Sequence, residues 1–231
     1  MEEQEKVEIP VSQNEPISRK KIILLLVFLA LILVSSVVLY YYGKNKLHYT
    51  YEGKNGKYNF DVVTDAGITA HVINVFAGNN QGYRFPLRYG PKQVESFIVE
   101  PGIKENLLGD SKGKTKKILY IAQDPSLSDK TESLSVLSIL EINRITGTAD
   151  YSIYRLPTDT AVTRETERSK ELGLPLITCV NATDSTGVLI MELGDETKAY
   201  IENRCVILKA KNGEELLKLS DKVAYHLLGV F

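Results

Sequence analysis

The longest uninterrupted apolar stretch of the chain covers residues 22–42, IILLLVFLALILVSSVVLYYY, and contains no charged side chain. A helix of this length, at about 1.5 Å per residue, spans the ~30 Å hydrocarbon core of a bilayer. Basic residues precede it at 19–21 and three tyrosines close it, as is typical of membrane interfaces. A cleaved signal peptide has a shorter apolar core that ends in small residues. The pattern predicts a transmembrane helix over 22–42, between a disordered tail at 1–21 and a linker at 43–57.

Residues 58–100 alternate between apolar and polar side chains, which is the pattern of strands with one buried face. The runs 58–63, Ile68–Phe76 and 83–89 each follow it. Pro86 lies on the second face of the third run, and a proline inside a strand indicates an edge strand or a bulge. We expect this region to form an antiparallel meander or a set of hairpins.

The pattern of apolar and polar positions differs in residues 115–231, where strand-like runs alternate with helical ones. The strand-like runs are 117–122, 151–156, 176–180, 187–193, 198–201 and 205–210. Three segments have a helical pattern. The first starts at a capping box at 129–132, ends at Gly147 and carries an apolar stripe at Leu134, Leu137, Leu140 and Ile145. The second is the charged segment 163–172, and the third starts at another capping box, 212–215.

Strands that alternate with helices predict an α/β or α+β fold, in which helices pack on a mixed sheet. The expected organisation is an N-terminal transmembrane helix followed by one extracytoplasmic domain at 58–231. That domain has an antiparallel, β-rich first part at 58–100 and an α/β part at 115–231. The runs between 187 and 210 are joined by short turns, so we expect them to be antiparallel at least in part.

The charge of the chain is balanced, with 28 Lys and Arg against 29 Asp and Glu. No basic surplus points to nucleic acid as a partner. The one basic run, at 112–117, is short and is interpreted as a solvated loop. The basic residues at 19–21 lie next to the apolar stretch, which favours a cytoplasmic N-terminus. The charges after the stretch count for less, because long domains translocate largely regardless of their charge. We therefore expect a single-pass protein of the cell membrane, bound to lipid through 22–42, with a cytoplasmic N-terminus and an external C-terminal domain.

The chain has two cysteines, Cys179 and Cys205. Their spacing matches neither a C-x-x-C redox motif nor, with the three histidines, a zinc site. A disulfide fits an oxidising exterior, and two separate buried thiols are the alternative. Asn181 opens an Asn-Ala-Thr sequon, which marks it as a candidate glycosylation site. Anchor, cysteine pair and sequon agree on an external domain.

The sequence contains no nucleophile elbow, zinc-protease motif, P-loop or dinucleotide fingerprint. We therefore predict no catalytic residue, metal or cofactor. Asp124 and Asp159 each follow a strand-like run, and carboxylates at neighbouring strand ends could bind a cation or a small ligand, or do acid–base work. The alternative for Asp124 is that Asp-Pro starts a turn and caps a helix. Glu141 on the helical stripe is interpreted as a helix-boundary effect.

Three segments, YRFPLRYGPKQVE at 83–95, ITCVNATDSTGVLIMELGDETKAYIENRC at 177–205 and CVILKAKNGEELLKLSDKVAYHLLGV at 205–230, carry a resemblance. The chain resembles a group of archaeal single-pass membrane proteins of unknown function with an extracytoplasmic α/β domain. In that group a lone anchor, a D-P after an apolar strand, and a cysteine pair around N-A-T and E-T-K recur. The resemblance implies an archaeal surface protein with a disulfide and N-glycosylation, and it implies no activity.

Three functional hypotheses follow from these observations. The leading one is a membrane-anchored external protein with a structural or protein-interaction role in the cell envelope, which implies an envelope protein as partner. The second is an envelope enzyme, or a binder of a small ligand or cation, that uses Asp124 and Asp159. The third is an accessory subunit of a membrane assembly that docks through the strand at 83–89. A deep pocket holding both aspartates would favour the second hypothesis, and an open strand edge or flat apolar patch the third.

Overall fold

The computed structural model of the chain describes residues 19–76, 81–109, 115–127, 131 and 133–231, with the backbone alone for 41–46. The chain divides into two compact units, residues 1–46 and 47–231. Three regions discussed above lie wholly or partly outside the described residues. They are most of the tail expected at 1–21, part of the basic run at 112–117, and the capping box expected at 129–132, of which only residue 131 is described.

The first unit is dominated by helix α1, Arg19–Leu47. Among the described residues, its segment Arg19–Tyr40 is the one helix long and apolar enough to cross a membrane. The hydroxyls of Ser35 and Ser36 both donate to the carbonyl of Ile32, at 2.9 and 2.8 Å. These bonds satisfy the small polar side chains within the helix itself, as an apolar surrounding requires.

Sheet A opens the second unit and consists of four antiparallel strands in the order β1-β2-β3-β4. The strands are β1 His48–Gly53, β2 Gly56–Asp65, β3 Ile68–Phe76 and β4 Gly82–Leu87. The predicted antiparallel first half is therefore confirmed. Strand β4, with Pro86, lies at the sheet edge, and its Tyr83, Phe85 and Leu87 are buried as the alternation indicated.

The linker expected at 43–57 is wrong. Helix α1 continues to Leu47, and β1 begins at the next residue and pairs with β2 along its whole length. The reason is visible in the side chains, because Tyr51 of β1 is buried in the core and Tyr49 stacks on Phe60 of β2 with ring centroids 5.0 Å apart. Aromatic pairs across strands stabilise a sheet, so this tyrosine-rich segment is part of the domain.

Sheet B is mixed and has six strands in the order β5-β9-β10-β8-β6-β7. The strands are β5 Ile98–Val99, β6 Ile118–Gln123, β7 Thr158–Val162, β8 Thr186–Leu193, β9 Lys198–Glu202 and β10 Cys205–Ala210. The helices assigned within the described residues of this unit are α2 Pro91–Val94, α3 Ile103–Leu108, α4 Ser133–Thr146, α5 Glu167–Glu171 and α6 Gly213–Leu227, with a 3₁₀ turn at Cys179–Asn181. The predicted mixed sheet with packed helices is confirmed.

Strands β9 and β10 form the antiparallel hairpin that the short turn predicted. Asn203 and Arg204 make its two-residue turn with φ of 49° and 67°, the left-handed conformation that such turns need. Strands β8 and β9 are not neighbours, because β10 lies between them and runs parallel to β8.

Two predicted strands are absent from sheet B. Residues 151–156 instead return along the end of α4, where the N–H groups of Tyr154 and Leu156 donate to the carbonyls of Ile145 and Thr146. These bonds satisfy carbonyls that a helix end leaves without partners. The strand that follows, β7, begins only at Thr158. Residues 176–180 contribute a single bridge to β7 and then the 3₁₀ turn.

Helices α4 and α6 lie between the two sheets. One continuous core joins residues of sheet A, both helices and one face of sheet B. The rings of Phe60 in β2 and Tyr225 in α6 meet edge to face at 5.7 Å, and α6 also packs on β10. A smaller core, which includes Cys205 and Ile177, covers the other face of sheet B. Because α6 has a sheet on each side, 11 of its 15 residues are buried.

Candidate ligand-binding cleft

A cleft of about 710 Å³ opens between α4, α5 and the carboxyl ends of β6 and β7. Its volume lies in the range of small-molecule sites. The described residues that line it are Gln123, Pro125, Ser135, Val136, Ile139, Leu140, Thr160, Ala161, Val162, Thr166, Arg168, Ser169, Leu172 and Leu174. The carboxyl ends of parallel strands are the usual place for ligands in open α/β sheets, so the position fits a binding site.

Helix α5 is the outer wall of the cleft and is held at both ends. At its start the Thr166 hydroxyl accepts from the Ser169 N–H at 3.1 Å, and the Ser169 hydroxyl accepts from the Thr166 N–H at 2.8 Å. At its end Gly173 takes a φ of 64°, the left-handed conformation that stops helices. The helix is shorter than predicted. Arg168 of the helix and Leu172, the residue that caps its end, lie four positions apart, and both line the cleft.

Helix α4 supplies the opposite wall. Val136 and Leu140 lie one turn apart and are 52% and 46% exposed, although both are apolar. Leu172 across the cleft is 62% exposed. Single exposed apolar residues are ordinary, but these three line one concave surface, which is the pattern of an interaction site.

The polar lining is sparse. Among the described lining residues Arg168 is the one with a charged side chain, and its guanidinium makes no ion pair or hydrogen bond with described residues. The neighbouring cations are paired, because Lys170 contacts Glu167 at 3.2 Å and Arg164 contacts Asp124 at 3.4 Å. Within the described part of the chain, no acidic side chain therefore competes with a ligand for the guanidinium of Arg168.

Asp124 lies directly after β6, at the rim of the cleft between the lining residues Gln123 and Pro125. Its Oδ1 accepts from the Ser126 N–H at 2.8 Å, which is the turn-capping role that Asp-Pro predicted as the alternative. Burial alone would raise the pKa of Asp124. The hydrogen bonds from Ser126 and the charge of Arg164 outweigh burial, so the pKa is lowered. Asp124 is thus an ionised carboxylate that is already bonded within its own turn.

Asp159 does not join Asp124. It is the second residue of β7, is exposed, and pairs with Tyr120 of the parallel strand β6. Tyr120 precedes Asp124 by four residues, which is about 13 Å along a strand. The expectation that Asp159 follows a strand failed because the strand predicted at 151–156 is not formed. Among the described residues no group of three or more His, Cys, Asp or Glu is arranged to hold a metal ion.

Comparison with known protein families, curated proteins and solved structures finds no match to this chain. The geometry of the described residues therefore carries the functional interpretation alone.

Cys179 and Cys205 are bonded, with their Cα atoms 5.1 Å apart. The bridge ties the 3₁₀ turn to the first residue of β10, on the face of sheet B that the smaller core covers. The two cysteines therefore lie at disulfide distance, as the first of the two interpretations expected.

Asn181 ends the 3₁₀ turn and is exposed. Its Oδ1 accepts from the Thr178 N–H at 2.9 Å, so this hydrogen bond does not use the amide nitrogen, the atom that carries an N-glycan. The sequon of Asn181 is therefore accessible, and its glycosylation stays a prediction.

Two buried carboxyl groups form a second polar cluster between α4, α6 and the end of β4. Asp221 of α6 is fully buried, and its Oδ2 accepts from the Tyr89 N–H at 2.7 Å. Its Oδ1 has no hydrogen-bond partner among the described residues. Burial, and then the charge of Glu141, raise the pKa of Asp221 well above its usual range. Burial also raises the pKa of Glu141, against the opposing charge of Arg144 at 3.2 Å.

The sequence offered no signal for Asp221. It lies off the apolar stripe of the final helix, where a charged residue usually faces water. It is buried because α6 has a second sheet on that side. Glu141, interpreted from the sequence as a helix-boundary effect, is instead a central member of this cluster.

Proposed function

We propose that the chain is a membrane-anchored, extracytoplasmic binding protein of the cell envelope. In this proposal α1 holds residues 47–231 at the outer surface of the cell membrane. The cleft between α4 and α5 then recognises an apolar group of its ligand. The single observation that carries the binding role is the concave apolar surface at the carboxyl ends of β6 and β7.

The extracytoplasmic location draws support from the second unit. A disulfide inside a fold persists in an oxidising compartment, and such bonds are uncommon in the cytosol. The accessible sequon at Asn181 fits the same compartment. Together with an apolar helix of membrane-spanning length, these features favour a cytoplasmic N-terminus and an external domain.

The cleft favours ligand recognition over a purely structural role. Structural domains rarely leave several apolar side chains around one cavity of ligand size, because each exposed methylene costs about 0.8 kcal/mol. The cleft also changes the ligand-binding hypothesis. The two aspartates that suggested it do not meet, and the walls of α4 and α5 replace them as the recognition surface.

Topology has a direct test in intact cells. An external protease should cleave residues 47–231 and leave an epitope tag at the N-terminus protected. Cleavage of the tag with protection of the domain would reverse the proposed orientation. A lysed sample, in which both sides are accessible, is the control.

Binding has a test in the full chain, reconstituted in lipid nanodiscs with methyl-labelled Leu and Val. Hexanamide, a small neutral apolar molecule, should shift the methyl resonances of Leu140 and Leu172 and leave those of Val180 unchanged. Val180 is 88% exposed and does not line the cleft, so it reports nonspecific contact. Val136→Trp should fill the cleft and abolish the shifts, while Val180→Trp should not. Equal shifts at all three sites would contradict a binding cleft.

A further inference from the structure

We propose that the cleft selects small carboxylates with an unbranched apolar tail, and that Arg168 is the residue that makes this selection. The inference rests on the proposed function, because it names the class of ligand that the cleft takes.

The charge pattern around the cleft argues for an anionic head group. Arg168 brings a positive charge to the lining and has no described partner that neutralises it. Three of the carboxylates nearby are already paired: Asp124 with Arg164, and Glu165 and Glu167 with Lys170 at 3.5 and 3.2 Å. An anion that enters the cleft therefore meets a cation whose charge is not already neutralised. A guanidinium binds a carboxylate through two parallel hydrogen bonds, which gives both affinity and orientation.

The lining also offers neutral donors for the same head group. The side chains of Gln123, at the end of β6, and of Thr160, in β7, line the cleft and make no side-chain hydrogen bond to a described residue. A carboxylate has about four acceptor positions, more than one guanidinium fills, so donors of this kind complete its coordination.

The apolar walls argue for a tail next to that head. Leu172 caps the end of α5, four residues after Arg168, so an extended ligand whose head contacts Arg168 places its tail against Leu172. Val136, Ile139 and Leu140 of α4 then cover the tail from the other side. A fully polar anion such as inorganic phosphate would leave these walls in contact with water and gain nothing from them.

The experiment compares hexanoate with hexanamide, which share an apolar chain and differ in the charge of the head. Both are titrated at pH 7.5 and low salt into the full chain in lipid nanodiscs, with the Leu172 and Leu140 methyl resonances as readout and empty nanodiscs as the partitioning control. Hexanoate should bind about five- to tenfold more tightly than hexanamide. Arg168→Gln should remove this preference, because hexanoate then loses its charged partner and binds no more tightly than hexanamide. Arg168 is exposed, so the variant should fold, and circular dichroism checks this.

Arg164→Gln is the matched control, because Arg164 is also exposed and near the cleft but already pairs with Asp124 and does not line the cavity. It should keep the hexanoate preference, whereas loss of the preference in both variants would reduce the effect to general surface charge and overturn the proposal. Equal binding of hexanoate and hexanamide to the unmodified chain would overturn the carboxylate selection and leave the binding cleft intact. Binding of neither molecule would overturn both proposals. Tighter binding of acetyl-Ala-Leu, a peptide with a free carboxylate, would assign the site to peptide C-termini and overturn the small-acid proposal.

Discussion

Reduction of the Cys179–Cys205 bridge should destabilise residues 47–231 by about 3.5 kcal/mol. The bond joins residues separated by 26 positions. In the loop-entropy treatment, opening a loop of this size returns about 12 cal/mol/K of conformational entropy to the unfolded chain, which is roughly 3.5 kcal/mol at 25 °C. The folded state should lose little, because both cysteines stay packed on the smaller core of sheet B. The main effect is therefore expected in the unfolded state.

The assay is urea unfolding of the full chain in detergent, with and without dithiothreitol, followed by circular dichroism because the chain has no tryptophan. With a urea m value of about 2 kcal/mol/M, the midpoint should fall by roughly 1.7 M. The double variant Cys179→Ala/Cys205→Ala should unfold near the reduced midpoint and be insensitive to dithiothreitol. If alkylation shows complete reduction and the midpoint of the unmodified chain does not move, the loop-entropy reasoning is refuted.

Two further predictions concern single residues of the second unit. Gly187→Ala should destabilise the domain by about 1–3 kcal/mol in urea unfolding, because a Cβ there would lie 2.6 Å from the Leu107 carbonyl oxygen. Gly82→Ala, whose Cβ meets only an aromatic ring edge at 3.3 Å, is the matched control, and an equal loss in both would contradict the steric account. Asp221→Asn keeps an acceptor for the Tyr89 N–H and removes the charge. Because the folded-state pKa of Asp221 is raised, the unmodified chain should lose stability relative to this variant as pH rises above about 4, by roughly 1.4 kcal/mol for each unit by which the pKa is raised. A difference that stays constant from pH 4 to 8 would contradict a buried, titrating Asp221.

The elements that followed from sequence are those decided by local patterns. Strand β3, Ile68–Phe76, has the predicted bounds because alternation marks its buried face and turns flank it. Helix α6 begins where the capping residue Asn212 indicated, and its Oδ1 accepts from the Glu215 N–H at 2.9 Å. The second half of that capping box differs, since the Glu215 carboxylate accepts from the Thr197 hydroxyl instead. A local motif predicted the helix start, and a contact distant in sequence decided where the remaining side chain points.

The elements that sequence reasoning missed depend on contacts between distant segments. Residues 151–156 have the composition of a strand, yet their N–H groups bond the end of α4 and the strand forms only at Thr158. This shift of a few residues moved Asp159 from the carboxyl end of a strand to its start. The predicted pairing of Asp124 with Asp159 was therefore lost through an error in strand position, and no local pattern could have corrected it.

The apolar residues of helix α4 were predicted to face the core, but part of them lines the cleft. Of its predicted apolar stripe Ile145 is buried, whereas Leu140 lines the cleft, and Ser138 and Ile142 are buried beside Ile145. Helix α4 also packs on α6, and a small buried residue such as Ser138 takes up little room in its core. A helix with small residues on one face and large apolar residues on another has more apolar surface than its core contact uses. The excess is the sequence signature of a second, ligand-facing side, and in this helix it coincides with the wall opposite Arg168.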